Sequence, residues 1–337
     1  VSEQIKIVRF HEIGGAEVLR IEELPLPQPG AGEVRLRVKA IGLNRAEVMF
    51  RNDQYFLSPK FPSTNGYEAS GIVEAVGAGV DAGLVGKVRS TVPAFRLDQY
   101  GVYGEVAIVP AAALAAYPEH LSFEEGTSIW MQFITAYGAI VHHGRIAKGD
   151  FVVITAASSS VGLAAIQITK AEGGIAIATT RTSAKKAELL AAGADHVIVT
   201  DDEDVLARIL QITNGIGAKI LFDCVAGAGL SDLAKATAHD ALIILYGLLS
   251  PEPTPFPIFE AWAKAPEGKS FKVMGYSLME LTTNPALLQR ATQYVFDKLE
   301  SRQIEPRIDR TFKLAEIADA HRYMERNQHI GKIVVTT

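Results

Sequence analysis

The stretch Phe151-Val152-Val153-Ile154-Thr155-Ala156-Ala157-Ser158-Ser159-Ser160-Val161-Gly162 decides the fold. Four large apolar residues read as a buried strand, the small residues after them as a tight turn, and the chain from about Val161 as a helix. A strand that passes through small residues into a helix makes an anion site, because the first N–H groups of the helix lack partners and its dipole favours negative charge. A dinucleotide fingerprint would place glycines at 157, 159 and 162, and only Gly162 meets it. Ala157 and Ser159 are small enough to keep such a turn compact. The hydroxyls of Ser158, Ser159 and Ser160 can donate to phosphate oxygens beside Val161 and Gly162, or they can merely cap the helix.

The surrounding order favours the phosphate reading. Buried apolar runs recur at Ile175–Thr179, His196–Val199, Ile220–Asp223, Ala241–Tyr246 and Phe271–Gly275, with helical patterns between them. Thr182-Ser183 open one helix that closes at Gly193, and Asp201-Asp202 open another that stops at Asn214-Gly215. This alternation predicts an α/β unit, a doubly wound parallel-sheet (Rossmann) cofactor domain. Ligands of such sheets collect at the carboxyl ends of strands. There lie Cys224 and Val225 after Asp223, and Gly247 and Leu248 after Tyr246. After the second strand an NAD site would carry an acidic residue; this chain has Thr180, Arg181 and, just beyond, Lys185 and Lys186. A guanidinium suits a 2′-phosphate, so the expected cofactor is NADP, as NADPH.

Outside this unit the period changes. Short strands at Ile5–Phe10, Leu19–Glu23, Val34–Ile41, Ala69–Val76 and Glu105–Val109 are punctuated by Gly and Pro, which predicts a β-rich, barrel-like domain. Pro285–Ser301 and Leu314–Asn327 read as helices and Ile333–Thr336 as a last strand. They follow the sixth sheet strand and are assigned to the first domain. The expected division is therefore 1–125 with 278–337, a discontinuous catalytic domain, around a cofactor domain at 126–277.

Bulk properties bound the function. A chain of 337 residues, 48% hydrophobic and 21% charged, is ordinary for two globular domains. Acidic residues outnumber basic ones, 38 to 33, and no basic stripe forms, so nucleic-acid binding has no electrostatic support. Apolar stretches are broken before the length of a bilayer span, and no export signal is visible at Val1–Lys6. Cys224 is the only cysteine, which excludes intrachain disulfides and multi-thiolate metal sites and suits a reducing cytoplasm. His142-His143 reads as a polar helix end.

Several further segments carry a family resemblance: Pro29-Gly30-Ala31-Gly32-Glu33-Val34, Ala40-Ile41-Gly42-Leu43-Asn44, Gly66-Tyr67-Glu68-Ala69-Ser70-Gly71-Ile72-Val73, Val76-Gly77, Thr135-Ala136-Tyr137-Gly138, Leu190-Ala191-Ala192-Gly193-Ala194-Asp195 and Gly331-Lys332-Ile333-Val334. In that order they resemble the medium-chain dehydrogenase/reductase superfamily, and within it the zinc-independent quinone oxidoreductases that include zeta-crystallin. The resemblance implies that the β-rich part is a GroES-like catalytic domain. The zinc-dependent branch carries metal ligands near 44, at 67 and shortly before 135, where this chain has Asn44, Tyr67 and Met131, so no metal is expected.

By the same resemblance Asn44, Tyr55, Tyr67, Gln132 and Thr135 face the nicotinamide as uncharged donors to an acceptor oxygen. Met274, Gly275, Tyr276 and Lys332 are carried over as cofactor contacts, and a homodimer pairing through the sixth strand is implied. Tyr100 and Tyr103 sit in a loop placed to line a substrate cleft, and the Phe and Pro content of 50–62, 95–103 and 251–266 suits a small apolar acceptor. The expected activity is NADPH-dependent, metal-free hydride transfer to quinones or α,β-unsaturated carbonyl compounds. The alternatives are a zinc-type alcohol dehydrogenase with an altered metal site, and a non-catalytic dinucleotide-binding sensor or structural protein.

Overall fold

The computed structural model describes residues 3–259 and 270–337; part of the expected pocket loop at 251–266 lies outside them. The chain divides into two compact units. The first joins Val1–Met131, Leu281–Glu300 and Glu305–Thr337, and the second joins Gln132–Glu280 and Ser301–Ile304. The boundary thus falls inside the helix α3 (Trp130–Tyr137) rather than at residue 125.

In the first unit β1 (Gln4–Arg9) and β2 (Arg20–Pro25) form an antiparallel ribbon. The main sheet is built on β3 (Glu33–Gly42), which pairs with β4 (Glu68–Val76), β6 (Val106–Pro110) and the terminal β15 (Lys332–Thr336). Strands β5 (Val88–Thr91) and β7 (Leu114–Ala115) extend one side, and β14 (Ile308–Lys313) pairs in parallel with β15 on the other. The alternation of β3 explains its place: Val34, Leu36, Val38 and Ala40 are buried, while Arg35 and Arg37 turn the other way. Both arginines reach Glu74 on β4, at 3.3 and 2.6 Å, a cross-strand charge pairing that fixes the register. The helix α1 (Arg45–Arg51) leaves β3 through Asn44.

The second unit is a six-stranded parallel sheet in the order β10-β9-β8-β11-β12-β13. Its strands are β8 (Phe151–Ile154), β9 (Ile175–Thr180), β10 (His196–Val199), β11 (Ala218–Asp223), β12 (Thr237–Leu245) and β13 (Phe271–Gly275). Val152, Val153, Ile154, Ile177, Ile220 and Ile243 are wholly buried, as expected of strands covered on both faces. The crossovers include α4 (Ser160–Ala171), α5 (Lys186–Ala191), α6 (Val205–Ile212) and α7 (Leu230–Lys235).

The expected α/β doubly wound sheet and separate β-rich unit are both present. Some helix starts differ. The α6 cap is Asp204, whose carboxylate accepts from Ala207 N, so the helix begins later than Asp201-Asp202 suggested. Ser183–Lys185 is a short 3₁₀ turn leading into α5.

Candidate active site

The phosphate-type turn starts where β8 ends. Thr155 donates to the Asp223 carboxylate at the end of β11 (2.5 Å), which ties the neighbouring strand ends together. Ala156 then takes a left-handed conformation at φ 44°, an unusual one for a residue with a side chain, and strained backbone of this kind clusters at functional sites. Ser159 caps α4 by accepting from Gly162 N at 3.0 Å. A Cβ on Gly162 would stand 2.6 Å from Cα and O of Ala157, so only glycine lets the helix start pack against its own turn. Lys185 donates to Ser158 Oγ at 3.1 Å, bringing a cation to the same turn. Thr180 ends β9, and the exposed Arg181 follows it with no carboxylate before Lys186. A dinucleotide phosphate fits this cradle: Ser160, Val161 and Gly162 form the helix N-terminus, and Lys185 adds positive charge.

The other strand ends are partly committed. Burial pushes the Cys224 thiol up to about 11, so it stays protonated near neutrality and is no nucleophile. Val225 N–H donates to Asp223 at 2.8 Å, so any contact of this residue with a dinucleotide falls to its carbonyl or side chain. Tyr246 stacks on Phe222 at 3.9 Å. Gly247 passes close to Cys224, where a Cβ would meet the Cys224 Cβ at 3.0 Å, and Leu248 stands 73% exposed beyond it. At the end of β13, Met274 is half-buried and Gly275 exposed. Tyr276 needs correction as a cofactor contact. Its ring is buried edge-on against His143, and its hydroxyl turns to the Ile134 carbonyl at 3.5 Å.

In the first unit the residues around Asn44 form one buried polar network. Lys332 Nζ bonds Glu68 Oε2 and, at 2.6 Å, Asn44 Oδ1; the Lys332 and Glu68 side chains are completely buried. The Asn44 amide nitrogen faces Gly42 O (3.2 Å), Glu47 Oε1 (3.0 Å) and Glu68 Oε2 (3.2 Å). An Asn side chain has two N–H donors, and both are used inside the protein. The expectation that Asn44 donates to substrate is therefore corrected: it is a positioning residue. Lys332 likewise turns inward: its wholly buried ammonium gives two of its three N–H groups to an internal carboxylate and amide, which corrects its expected role as a cofactor contact.

The network continues through Tyr103 and through Glu47, Arg51, His321 and Glu325, which the sequence did not single out. Glu47 reaches back to Asn44 N at 2.6 Å and accepts from Tyr103 OH at 2.8 Å. Tyr103 is also 2.9 Å from His321 Nε2, and Arg51 Nη1 lies 2.8 Å from His321 Nδ1. A guanidinium can only donate, so Nδ1 accepts and Nε2 carries the proton toward the Tyr103 oxygen. Arg51 ends the chain on Glu325, at 2.6 Å. Burial, with Arg51 and Arg45 beside it, lowers His321 to about 3, consistent with a neutral ring. Tyr103 is thus a core residue and lines no cleft. The signal available in the sequence was Glu47 placed three residues after Asn44, the spacing of a capping box.

Tyr67 and Tyr55 are brought together, with Tyr67 OH donating to Tyr55 OH at 3.4 Å. Before Tyr67, Gly66 has a φ of 98° and no Cβ, which lets the Tyr103 ring pack where a side chain would stand, at 2.3 Å. Burial raises both phenols, so both remain protonated donors. Tyr67 packs on Phe95, which meets Tyr100 edge-on, and Tyr55 lies 4.2 Å from the exposed Phe56. Tyr100 itself donates to Glu33 at 2.9 Å. Gln132 and Thr135 are buried on one face of α3, a turn apart.

A catalytic zinc does not fit the residues at the family's ligand positions. Asn44, Tyr67 and Met131 offer neither thiolate nor imidazole. Glu68, the one carboxylate there, already holds Lys332 and accepts from Met131 N at 2.9 Å. A divalent ion beside a buried ammonium would face direct charge repulsion.

These features are those of a dinucleotide-dependent oxidoreductase, and comparison with known proteins agrees. The alcohol dehydrogenase GroES-like domain family matches residues 30–119, and the zinc-binding dehydrogenase family matches residues 192–335. The chain belongs to the medium-chain dehydrogenase/reductase superfamily. Within it the chain falls with the quinone oxidoreductase-like family. It is 30% identical over 322 residues to the synaptic vesicle membrane protein VAT-1 homolog of Danio rerio, covering 92% of this chain and 65% of that protein. It is 27% identical to the human quinone oxidoreductase, covering 94% and 93% of the two chains. The solved structure of Escherichia coli quinone oxidoreductase complexed with NADPH superposes with a TM-score of 0.87 at 26% identity, covering 98% of this chain and 100% of that one. The chain spans less than two thirds of the length of the zebrafish relative. Among the described residues no helix is long and apolar enough to cross a membrane.

Proposed function

We propose that the chain is an NADPH-dependent reductase of quinones or α,β-unsaturated carbonyl compounds that works without a catalytic metal. One observation carries this reading: the buried Lys332 ammonium already occupies Glu68 and Asn44, so the residues at the zinc-dependent branch's ligand positions are committed to an internal ion pair and not to a metal. The cofactor supplies a hydride when bound. The chain's own residues do the rest. The α4 N-terminus, Ser158 and Lys185 hold the pyrophosphate, and Arg181 pairs with the 2′-phosphate, the preference following from the missing carboxylate after β9.

Tyr67 directs its proton to Tyr55, which leaves the Tyr55 O–H to donate to the acceptor oxygen as negative charge develops there. The aromatic surroundings of this pair suit a flat, conjugated acceptor. Gln132 and Thr135 are proposed as further donors on the resemblance, and Asn44 holds the network that positions the Tyr67 backbone: Glu47 accepts from both Asn44 and Tyr67 N–H groups. The edge position of β13 supports a homodimer that pairs this strand, and the single buried Cys224 supports a reducing, cytoplasmic setting.

The test is NADPH oxidation against a panel of quinones and enones. The reading expects Tyr55→Phe to lower kcat by about 10² to 10³ with NADPH affinity unchanged, as for loss of one preorganised donor, and Tyr67→Phe to lower it less. Full turnover in the double Tyr55→Phe/Tyr67→Phe variant would remove the tyrosine pair from the chemistry. Tight NADPH binding with no oxidation across the panel would leave a dinucleotide-binding protein without turnover.

A further inference from the structure

A second cluster of metal-ligating side chains lies within the second unit. α3 runs on into a π-helix, Gly138–His143, and such helices concentrate at functional sites. At its end His142 and His143 pack edge-to-face with ring centroids 4.7 Å apart. Glu280, in the short helix Met279–Thr282 beyond β13, completes the group, and the potential ligand atoms of all three lie within 4.8 Å of one another.

The contact between His143 and Glu280 is the informative one. Nε2 and Oε1 are 3.2 Å apart, yet the buried Nε2 makes no aligned hydrogen bond. Tyr276 holds the His143 ring from its side, at a centroid distance of 5.6 Å. The ring nitrogen and the carboxylate oxygen thus face each other at close range without an aligned hydrogen bond, and both are ligand atoms that a cation between them would hold. Tetrahedral zinc with bonds of about 2.0–2.2 Å holds its ligand atoms roughly 3.3 Å apart, which matches the 3.2 Å between His143 and Glu280, with His142 within 4.8 Å to close on the ion. The acid is 47% exposed, so an ion can enter from solvent and keep water in its remaining position.

We propose that His142, His143 and Glu280 form a binding site for a divalent transition ion of zinc type. Two imidazoles and a carboxylate select such an ion over magnesium or calcium. The ion clamps the π-helix to the segment that follows β13. The site uses none of the residues assigned to hydride transfer and stands whether or not the reductase reading holds.

Isothermal titration of chelator-treated full-length protein with zinc chloride tests it, with cobalt absorption as a second readout of tetrahedral geometry. Wild type is expected to take up one ion in the micromolar range with a rise in Tm, and His143→Gln and Glu280→Gln are each expected to weaken binding at least about tenfold, with circular dichroism unchanged. No saturable uptake by wild type, or equal uptake by the His143→Gln/Glu280→Gln double variant, would overturn the proposal.

Discussion

At the scale of single residues, the account turns on charges that are buried but matched. Lys332 and Glu68 neutralise each other with no exposure, so removing one partner strands the other. Lys332→Met should destabilise the first unit by about 3–5 kcal/mol. Adding Glu68→Gln should return much of that loss, since no uncompensated charge then remains. Urea unfolding of the four members of this double-mutant cycle checks it, and strictly additive losses would mean that the two groups do not interact. His321 makes a pH prediction. Its folded value of about 3 lies below the ordinary histidine value, so between those limits the unfolded chain binds the extra proton. This contribution is complete above about pH 6.5 and shrinks with acidification at up to about 1.4 kcal/mol per pH unit. Glu47 works in the opposite sense, because burial raises its carboxyl. Comparing unfolding at pH 7 and pH 5 in wild type and His321→Asn isolates the histidine: wild type should lose more stability on acidification than the variant, and equal losses would show a ring that folding leaves as easy to protonate as in the unfolded chain.

At the scale of elements, the decisive unit is β8, its turn and α4. Gly162→Val should disrupt the turn, since even the first carbon of a side chain meets Ala157 backbone at 2.6 Å. The loss should appear as weakened NADPH binding by fluorescence titration alongside a lower Tm. Arg181→Ala should narrow the preference for NADPH over NADH while leaving Tm unchanged, because the side chain is exposed; an unchanged preference would assign the 2′-phosphate elsewhere. This element was legible from sequence because its cues are local: an apolar run, small residues and a glycine within a dozen positions. Strand β3 was legible for the same reason, through its period of two. The short strands β5 and β7 left no such pattern, and β14 carries arginine, aspartate and lysine at exposed positions of an edge. The Arg51–His321 contact joins positions 270 residues apart, so no spacing rule could have announced it. Asn44 shows the subtler failure: the sequence singles the residue out as a donor, and only its hydrogen-bond partners reveal that its donors are already committed.

At the scale of the whole molecule, one chain builds a cofactor unit from local βα repeats and a β-rich unit closed by its own last strand. The second unit follows from hydrophobic period and turn chemistry. The first unit's polar centre depends on side chains from α1, β4, β15 and the helix Ile317–Glu325, which meet only after folding. The proposed reaction asks neutral hydroxyls, braced by an internal ammonium, to do what a Lewis acid does elsewhere in the superfamily. The most direct test follows NADPH absorbance with quinone and enone acceptors, using protein stripped by chelator and shown by elemental analysis to be free of transition metals. The account predicts turnover equal to that of untreated protein and unchanged when zinc is added back. Activity that vanishes on stripping and returns in proportion to restored zinc would contradict it.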